Sequence, residues 1–283
     1  MISEADTKAI LEKAYIPEHI VPLMALLSKG EPFLIEDFLC LVGNDWLIVV
    51  GYPLETAFQE SSLKRVVKAS IKRFRPTFGW IMAPEEPAYL QSCCGERESD
   101  RYYVYDLNQT QPPKRLFRIA ERAAEDLRVE RHQELSKDHW TLIEEFIAIA
   151  APKPRVEKLY LSLPKYVSLS PTAIILSART REQHLSAFYV IELAATHFAS
   201  YLAGCYSRRV LVPHASDLLF YEMILLAKTE SKNSINLGLG VNDGIRRFKE
   251  KWGGMPSIAY EYCEFRSKSR WVLNLLGSFA ARG

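Results

Sequence analysis

The sequence predicts an α+β protein in which mixed, mostly antiparallel sheets are flanked by helices. Segments with helical periodicity alternate with segments rich in β-branched and aromatic residues. The predicted strands follow one another as meanders rather than as repeated βαβ units, which favours a mixed sheet over a doubly wound parallel one. The order strands, helix, strand occurs twice along the chain. We therefore expect two related domains, residues 1–108 and 109–283, that meet at a linker rich in Gln, Thr and Pro.

The composition is that of a globular protein, with 283 residues of which 48% are hydrophobic and 25% charged. The net charge of +2 is too small to indicate nucleic-acid binding by itself. No apolar run approaches the ~18 residues that cross a bilayer, and the acidic N-terminus differs from a secretion signal. We expect a cytoplasmic protein with no membrane span.

The five cysteines are scattered along the chain, and two of them, Cys93 and Cys94, are adjacent. Neither a paired Cys-x-x-Cys nor a His-x-x-x-His spacing occurs, so we expect no metal site. In a reducing cytoplasm the cysteines are expected to be free thiols. Cys205 and Cys263 lie in apolar, strand-like segments and are expected to be buried.

The first domain is predicted to contain a basic helix. From Lys64 to Arg75 there are six basic residues and no acid, while the apolar residues keep helical spacing. A solvated outer face, contact with a phosphate-bearing substrate, and RNA binding all explain this charge. The predicted elements are a helical segment at 3–29 divided near Pro22, strands at 33–42 and 46–52 joined by a polar hairpin turn, the helix at 63–74, a strand at 78–85, a polar loop at 93–100 and a strand at 101–107.

The second domain is predicted to begin with a helix and to contain a helix that Ser136 caps. The predicted elements are helices at 114–126 and from 137, strands at 127–131, 172–178, 187–193 and 197–204, a helix at 216–228, a strand at 234–238, a helix at 244–252, a strand at 257–265, and an apolar tail at 271–279 that packs onto a core.

A glycine-rich stretch, INLGLGVNDGIRRFKEKWGGMP, begins at Ile235. It is not a dinucleotide-binding loop, because its third glycine comes one residue late and the helix that follows is short. It is not a Walker loop, because no Gly-Lys-Ser/Thr occurs. Two interpretations remain: structural punctuation between a strand and a capped helix, or an anion site at the start of that helix.

The helix in this stretch has an apolar face and a basic face. Ile245, Phe248 and Trp252 have the spacing of a face that packs on the core. Lys249 is then expected to point away from the core, together with its basic neighbours.

This stretch resembles the closing motif of the FemABX-like branch of the GNAT acyltransferase superfamily. In that branch a strand that ends in glycine is followed by a segment with Phe-Lys and then Phe-Gly-Gly. The matching positions are Gly238, Phe248, Lys249, Trp252 in place of phenylalanine, Gly253 and Gly254. Upstream, Leu218, Leu219, Ala227 and Lys228 match a helix of the same family, and the segment from Lys114 to Phe146 is similar to the opening of these domains and of the lysyl-phosphatidylglycerol synthase C-terminal region. The resemblance covers about residues 112–265.

The resemblance implies two tandem GNAT-like domains, each a twisted, mostly antiparallel sheet flanked by helices. It implies an N-acyltransferase that moves an acyl or aminoacyl group from a thioester or an aminoacyl-tRNA to a small-molecule or peptidic amine. The co-substrate is then an acyl-CoA or an aminoacyl-tRNA, with tRNA as a partner in the second case. In the FemABX branch the donor is an aminoacyl-tRNA and the acceptor a cell-wall precursor. The glycine-bearing loop that holds coenzyme A in GNAT enzymes has no counterpart here after Gly204.

Acyl transfer to an amine needs a base for the attacking nitrogen and a donor for the developing oxyanion. The catalytic candidates are Glu192, Tyr221 and Lys249. The candidates for binding the donor or substrate are Arg208, Arg209, His214, Ser216, Asn236, Gly238 and Arg246.

Each catalytic candidate has a simpler interpretation. Glu192 fits a solvent-facing strand position, Tyr221 a packing aromatic, and Lys249 an exposed helix lysine. Accordingly, the alternative function is a catalytically silent GNAT-fold protein that binds an anionic ligand. The sequence leaves the oligomeric state open.

Overall fold

The computed structural model describes residues 2–90 and 94–266. The chain divides into two compact units, of which the first runs to Tyr102 and resumes at Pro256, and the second comprises Tyr103–Met255. These units differ from the sequence-based division in two respects, because the first boundary is at 102 rather than 108 and the last described strand, from Pro256 onward, belongs to the first unit. The predicted apolar tail at 271–279 and Cys93 lie outside the described residues.

The helices and strands alternate through both units. The helices are α1 (Glu4–Lys13), α2 (Val21–Ser28), α3 (Glu60–Phe74), α4 (Lys114–Asp126), α5 (Lys137–Ala150), α6 (Pro154–Leu169), α7 (Ala215–Thr229) and α8 (Asp243–Lys251), with 3₁₀ turns at Pro17–His19 and Ala88–Leu90. The strands are β1 (Glu31–Ile35), β2 (Phe38–Val42), β3 (Trp46–Val50), β4 (Phe78–Ala83), β5 (Cys94–Asp106), β6 (Leu127–His132), β7 (Ala173–Thr180), β8 (Leu185–Glu192), β9 (Phe198–Tyr206), β10 (Ser234–Leu239) and β11 (Met255–Arg266). This composition confirms the predicted α+β class.

The first unit has the strand order β1-β2-β3-β4-β11-β5. Strands β1 to β3 are antiparallel, β3 and β4 are parallel across α3, and β4 is antiparallel to β11. The hairpin predicted around residues 43–45 is confirmed, since it joins β2 to β3. The single strand predicted at 33–42 is wrong. The chain turns at Glu36, whose φ is +52°, and the carboxylate of Asp37 fixes this turn by accepting the amides of Leu54, Glu55 and Thr56.

The expectation of free thiols fails at two positions. Cys94 of β5 and Cys263 of β11 form a disulfide, and both strands are neighbours in the sheet of the first unit. Cys40 and Cys205 are free and buried, so the expected burial of Cys205 and Cys263 is confirmed. The residues from Cys94 to Asp100, predicted as a loop, are part of β5.

The second unit has the strand order β5-β10-β9-β8-β7-β6. Strands β6 to β9 are antiparallel, and β9 and β10 are parallel with α7 as the crossover. The apolar face of α7 packs on the central strands through side chains such as Leu219 and Met223. Ser136 caps α5, as predicted. The helix α6 is absent from the sequence-based prediction because Pro152, Pro154 and the internal Pro164 interrupt the helical pattern.

Candidate active site

The site forms where the parallel strands β9 and β10 stop pairing. Their register covers three residues and ends at Ser200 opposite Asn236, although β9 continues to Tyr206 and β10 to Leu239. On its other side β9 remains paired with β8 but carries an extra residue, Leu202, between Tyr201 and Ala203. Such a β-bulge bends and twists its strand. Beyond Ser200 and Asn236, β9 and β10 therefore do not pair with each other, which leaves an opening in the sheet between them.

The corresponding strands of the first unit are closed. All five residues of β3 are in register with β4, from Trp46 opposite Phe78 to Val50 opposite Met82. The next amide, that of Gly51, also donates to the carbonyl of Met82, at 2.7 Å. Within the described residues, only the second unit has a pair of parallel strands whose register stops before the strands end.

The end of β10 places a backbone position next to a lysine amine. The side-chain Oδ1 of Asn236 accepts the amide of Gly238 at 2.9 Å. Gly238 has a φ of +74°, which side chains disfavour. A Cβ at this position would lie 3.9 Å from the carbonyl oxygen of Tyr201 and 4.0 Å from Nζ of Lys249. Gly238 thus lies close both to the backbone of β9 and to the Lys249 amine.

The Lys249 side chain is buried, which corrects the expectation that it points away from the core. It is 5% exposed, its Nζ donates to the carbonyl of Leu239 at 2.6 Å, and it lies 5.5 Å from the centre of the Tyr103 ring. Ile245, expected to face the core, is 37% exposed, whereas Trp252 is fully buried. Helical spacing predicts which residues share a face, but it does not show which polar side chains have a buried partner. For Lys249 that partner is the carbonyl of Leu239 at the end of β10.

The first turn of α7 carries a buried carboxylate that sequence reasoning missed. Asp217 accepts hydrogen bonds from Nζ of Lys251 at 2.5 Å and from Nε1 of Trp252 at 2.9 Å. Nδ1 of His214 lies 3.0 Å from its other oxygen. Burial raises the pKa of Asp217, but the hydrogen bonds from Lys251, His214 and Trp252 outweigh burial and hold that pKa below its usual value. This network ties α8 to the start of α7, and the sequence signal for it is an acid in the first turn of a helix.

Glu192 is fully buried at the end of β8, which excludes the solvent-facing position considered from the sequence. Its carboxylate accepts hydrogen bonds from the hydroxyls of Tyr166, Ser170 and Thr172. It also accepts the amides of Leu193 and Ala194, each at 2.8 Å. Burial raises the pKa of the Tyr166 hydroxyl, so this group stays protonated and donates. The oxygens of Glu192 are thus committed to joining the end of β8 to the loop before β7.

Neither a protein-family model nor a curated protein matches the chain in sequence. Solved structures do match over nearly the whole chain. "L-PGS from Bacillus licheniformis" is 17% identical, with a TM-score of 0.58 over 97% of this chain and 95% of that one. The C-terminal domain of a putative lysylphosphatidylglycerol synthetase from Agrobacterium fabrum is 15% identical, with a TM-score of 0.60 over 98% and 97%. FemX is 10% identical, with a TM-score of 0.64 over 92% and 96%.

A tandem GNAT protein from the clavulanic acid biosynthesis pathway is also similar, at 10% identity and a TM-score of 0.53 over 94% of this chain and 96% of that one. The chain has the tandem GNAT-like fold of the FemABX-like proteins. The resemblance in the glycine-rich stretch is therefore confirmed at the level of the fold. In this GNAT-like chain, the opening between β9 and β10 and Lys249 both lie in the second unit.

In the loop between β9 and α7, two backbone amides are already bonded within the loop itself. Oγ of Ser207 accepts the amides of Arg209 and Val210, at 3.1 and 2.9 Å, so two of the loop amides are already bonded. Arg208 and Arg209 are exposed, and the carbonyl of Ser216 accepts the Tyr189 hydroxyl. The loop thus presents two exposed arginine side chains, while two of its amides are taken up by Ser207.

The remaining candidates lie on the helices. Tyr221 of α7 packs edge-on against Phe117 of α4, with ring centres 5.3 Å apart. It lines a groove of about 220 Å³ between these helices, so its contacts support the packing interpretation. His214 begins α7 with a φ of +66° and pairs with Asp217. Arg246 pairs with Asp243 on α8 at 3.4 Å.

The basic helix α3 of the first unit is partly neutralised by its own surroundings. Arg65 forms two hydrogen bonds with the carboxylate of Glu36, at 2.9 and 2.7 Å. The guanidinium of Arg73 lies about 5 Å from the rings of Phe33 and Phe74. These contacts give Arg65 and Arg73, two of the six basic residues, a structural role.

Two kinds of feature are absent from residues 2–90 and 94–266. No helix in these ranges is both long and apolar enough to cross a membrane. No group of three or more His, Cys, Asp or Glu side chains there is arranged to hold a metal ion.

Proposed function

We propose that the protein is an N-acyltransferase that moves an acyl or aminoacyl group onto an amine at the opening between β9 and β10. The observation that carries this proposal is the position of Lys249. Lys249 is 5% exposed, and its amine lies beside Gly238 at the end of β10, where β10 no longer pairs with β9. Burying a lysine is costly, so a chain that places its amine here has a use for a cation at this point.

The reaction joins the amine nitrogen of the acceptor to the carbonyl carbon of the donor. The ester or thioester bond of the donor breaks, the amine loses a proton, and the leaving hydroxyl or thiol gains one. Negative charge develops on the carbonyl oxygen in between, and a fixed ammonium stabilises such charge most strongly where water is excluded. We assign this role to Lys249, which the bond to the Leu239 carbonyl holds in place.

The donor remains one of two classes, a CoA thioester or an aminoacyl-tRNA. The loop after β9 offers Arg208 and Arg209 to phosphates, which suits either class. Two of its amides are bonded to Ser207, and this favours a donor whose phosphates need no backbone cradle. The similarity to FemX and to L-PGS supports testing an aminoacyl-tRNA alongside acetyl-CoA.

The test is a transfer assay on the full chain with two labelled donors, acetyl-CoA and an alanyl- or lysyl-tRNA, and a panel of small and peptidic amines. We expect donor-dependent amide formation with one donor class. Replacement of Lys249 by Met should lower the transfer rate on the order of 100-fold, since it removes one charge-stabilising donor. Arg247→Met is the matched control, because Arg247 is an exposed cation on the same helix, and it should leave the rate unchanged.

Two outcomes would contradict the proposal. The first is an absence of amide product with either donor at any amine. The second is full activity of Lys249→Met, which would remove Lys249 from the reaction. Donor binding without transfer would instead support the alternative of a catalytically silent protein that binds an anionic ligand.

A further inference from the structure

Two buried polar groups lie side by side on neighbouring strands, each without a hydrogen-bond partner, at the point where β9 and β10 separate. Ser200 is 0% exposed and Asn236 is 1% exposed. No described residue lies within hydrogen-bonding reach of Oγ of Ser200 or Nδ2 of Asn236. The two residues are register partners on adjacent parallel strands, so their side chains project from the same face of the sheet. They are also the last pair before the opening.

An unpartnered donor in a protein interior is costly, and folded proteins rarely leave one without a reason. Glu192, on the same face of the sheet, is a buried polar group with a structural role, and its hydrogen bonds are fully satisfied. Glu192 pairs with Ser200 in the register of β8 and β9, and its carboxylate accepts five hydrogen bonds. In contrast, Oγ of Ser200 on β9 and Nδ2 of Asn236 on β10 have no hydrogen-bond partner.

The orientation of the Asn236 amide is fixed. Its Oδ1 accepts the Gly238 amide at 2.9 Å, and a flipped side chain would place an NH₂ group against that N–H. Nδ2 is therefore the donor that is left without a partner. The Ser200 hydroxyl can also donate, because it rotates freely about its C–O bond. The pair offers hydrogen-bond donors to an acceptor oxygen.

The pair is neutral, which restricts the class of oxygen. The nearby lysines donate to backbone carbonyls and not to this pair, Lys249 to that of Leu239 and Lys232 to those of Leu193 and Ala195. A phosphate or carboxylate buried against two neutral donors would lack the charge pairing that burial requires. A carbonyl oxygen of an amide, ester or thioester is neutral and accepts two hydrogen bonds.

We propose that Ser200 and Asn236 hold a neutral carbonyl oxygen of the donor molecule between β9 and β10. This inference rests on the proposed transferase function and adds a positioning pair to it. The carbonyl has two possible sources, the pantetheine arm or thioester of a CoA donor, and the aminoacyl group on the 3′ end of a tRNA. The two sources differ in the probe that the pair should recognise.

The experiment compares Ser200→Ala with the matched control Ser186→Ala in the full chain. Ser186 is a buried serine of β8 whose Oγ donates to the carbonyl of Val210 at 3.0 Å. Thermal unfolding is measured without ligand, and the Kd is measured for two probes. The probes are acetyl-CoA and adenosine carrying alanine in amide linkage at its 3′ position, which cannot transfer its acyl group by ester cleavage.

We expect the two variants to behave in opposite ways. Ser186→Ala should lower the Tm by roughly a few degrees, because it removes a satisfied hydrogen bond. It should leave the Kd of the phosphate-free adenosine probe unchanged, because its partner Val210 lies in the loop of Arg208 and Arg209 and not at the opening. Ser200→Ala should leave the Tm unchanged or raise it, and should weaken the binding of one probe about fivefold, the effect of one neutral hydrogen bond. The probe affected identifies the source of the carbonyl.

Three results would overturn the inference: a Tm loss in Ser200→Ala as large as in Ser186→Ala, unchanged affinity of Ser200→Ala for the probe that binds, or binding of neither probe to the wild-type protein. The transfer assay tests the proposed function independently of this pair. If transfer depends on Lys249 and not on Ser200, the transferase function is supported and the role of the pair is contradicted. If probe binding depends on Ser200 but no transfer occurs, the role of the pair is supported and the transferase function is contradicted.

Discussion

Nζ of Lys249 donates a hydrogen bond of 2.6 Å to the carbonyl oxygen of Leu239, which joins α8 to the last residue of β10. The same amine lies over the ring of Tyr103 at 5.5 Å from its centre, so an aromatic face and a backbone dipole both stabilise the charge. This arrangement fixes the lysine at the end of the segment of β10 that does not pair with β9. Gly238 lies close both to this amine and to the backbone of β9.

Gly238→Ala should destabilise the protein and lower transfer activity. The backbone there has a φ of +74°, so a Cβ introduces strain of about 1–2 kcal/mol into the free energy of unfolding. The new Cβ would also lie 4.0 Å from Nζ of Lys249, where it displaces any group bound beside the amine. Urea titrations and the transfer assay measure the two effects.

Gly95→Ala is the control for this substitution. Gly95 is an exposed strand residue at which a Cβ meets only the carbonyl oxygen of Glu264, at 4.0 Å. We expect its stability to change by less than about 0.5 kcal/mol. Equal losses in both variants would show that the conformation of Gly238 carries no special strain.

Glu192→Ala should lower stability far more than activity. The substitution leaves the hydroxyls of Tyr166 and Thr172 and two backbone amides without their acceptor, at a cost of about 3 kcal/mol or more. Glu121→Ala, at an exposed position of α4, should be neutral. Denaturation gives the stability, and the transfer rate is normalised to folded protein. A stable variant with abolished transfer would instead restore the catalytic role that the sequence suggests.

Acid should destabilise the protein through two buried histidines. Burial lowers the pKa of both His19 and His139 to about 4, below the unfolded value of 6.5. Above pH 6.5 both states are neutral, and as the pH falls from 6.5 towards 4 only the unfolded chain gains the protons. Stability is thus lost on acidification, by about 2 kcal/mol for each histidine between pH 7.5 and 5.

Free energies of unfolding across this pH range, in the wild-type protein and in His139→Gln, test the assignment. His139 accepts from Ser136 and donates to Ser177, contacts that a glutamine amide can partly replace. We expect a shallower pH dependence in this variant. The exposed His184 serves as control, and His184→Gln should keep the wild-type slope. An unchanged slope in His139→Gln would contradict the assignment.

The disulfide should stabilise the first unit. Cys94 and Cys263 are 169 residues apart in sequence, so the bond constrains a long loop of the unfolded chain and is worth about 2–5 kcal/mol. Cys263→Ala should lower the Tm in oxidising buffer, and a reducing agent should lower the Tm of the wild-type protein to a similar value. A wild-type Tm that is insensitive to reductant would show that the bond contributes nothing to stability.

The sequence by itself determined the α+β class and the GNAT-like fold. Short-range patterns carry this information, because the period of apolar residues and the turn and cap residues act within a few positions. The cap at Ser136, the β2–β3 hairpin and the glycine-rich stretch after Ile235 were all readable in this way. The same short-range patterns did not predict α6, which contains prolines, or the turn at Glu36. Tertiary contacts hold these two segments in conformations that their local sequence disfavours.

The tertiary structure alone decided which polar groups have partners. Lys249 and Glu192 are ordinary charged residues in sequence, and only the packing of α8 on β10 and of the loop before β7 on β8 buries them. Likewise, the register that ends at Ser200 and Asn236 and the disulfide across β5 and β11 depend on strands far apart in the chain. The physical reason is that hydrogen bonding and burial depend on distances in space, which residue spacing along the chain does not specify.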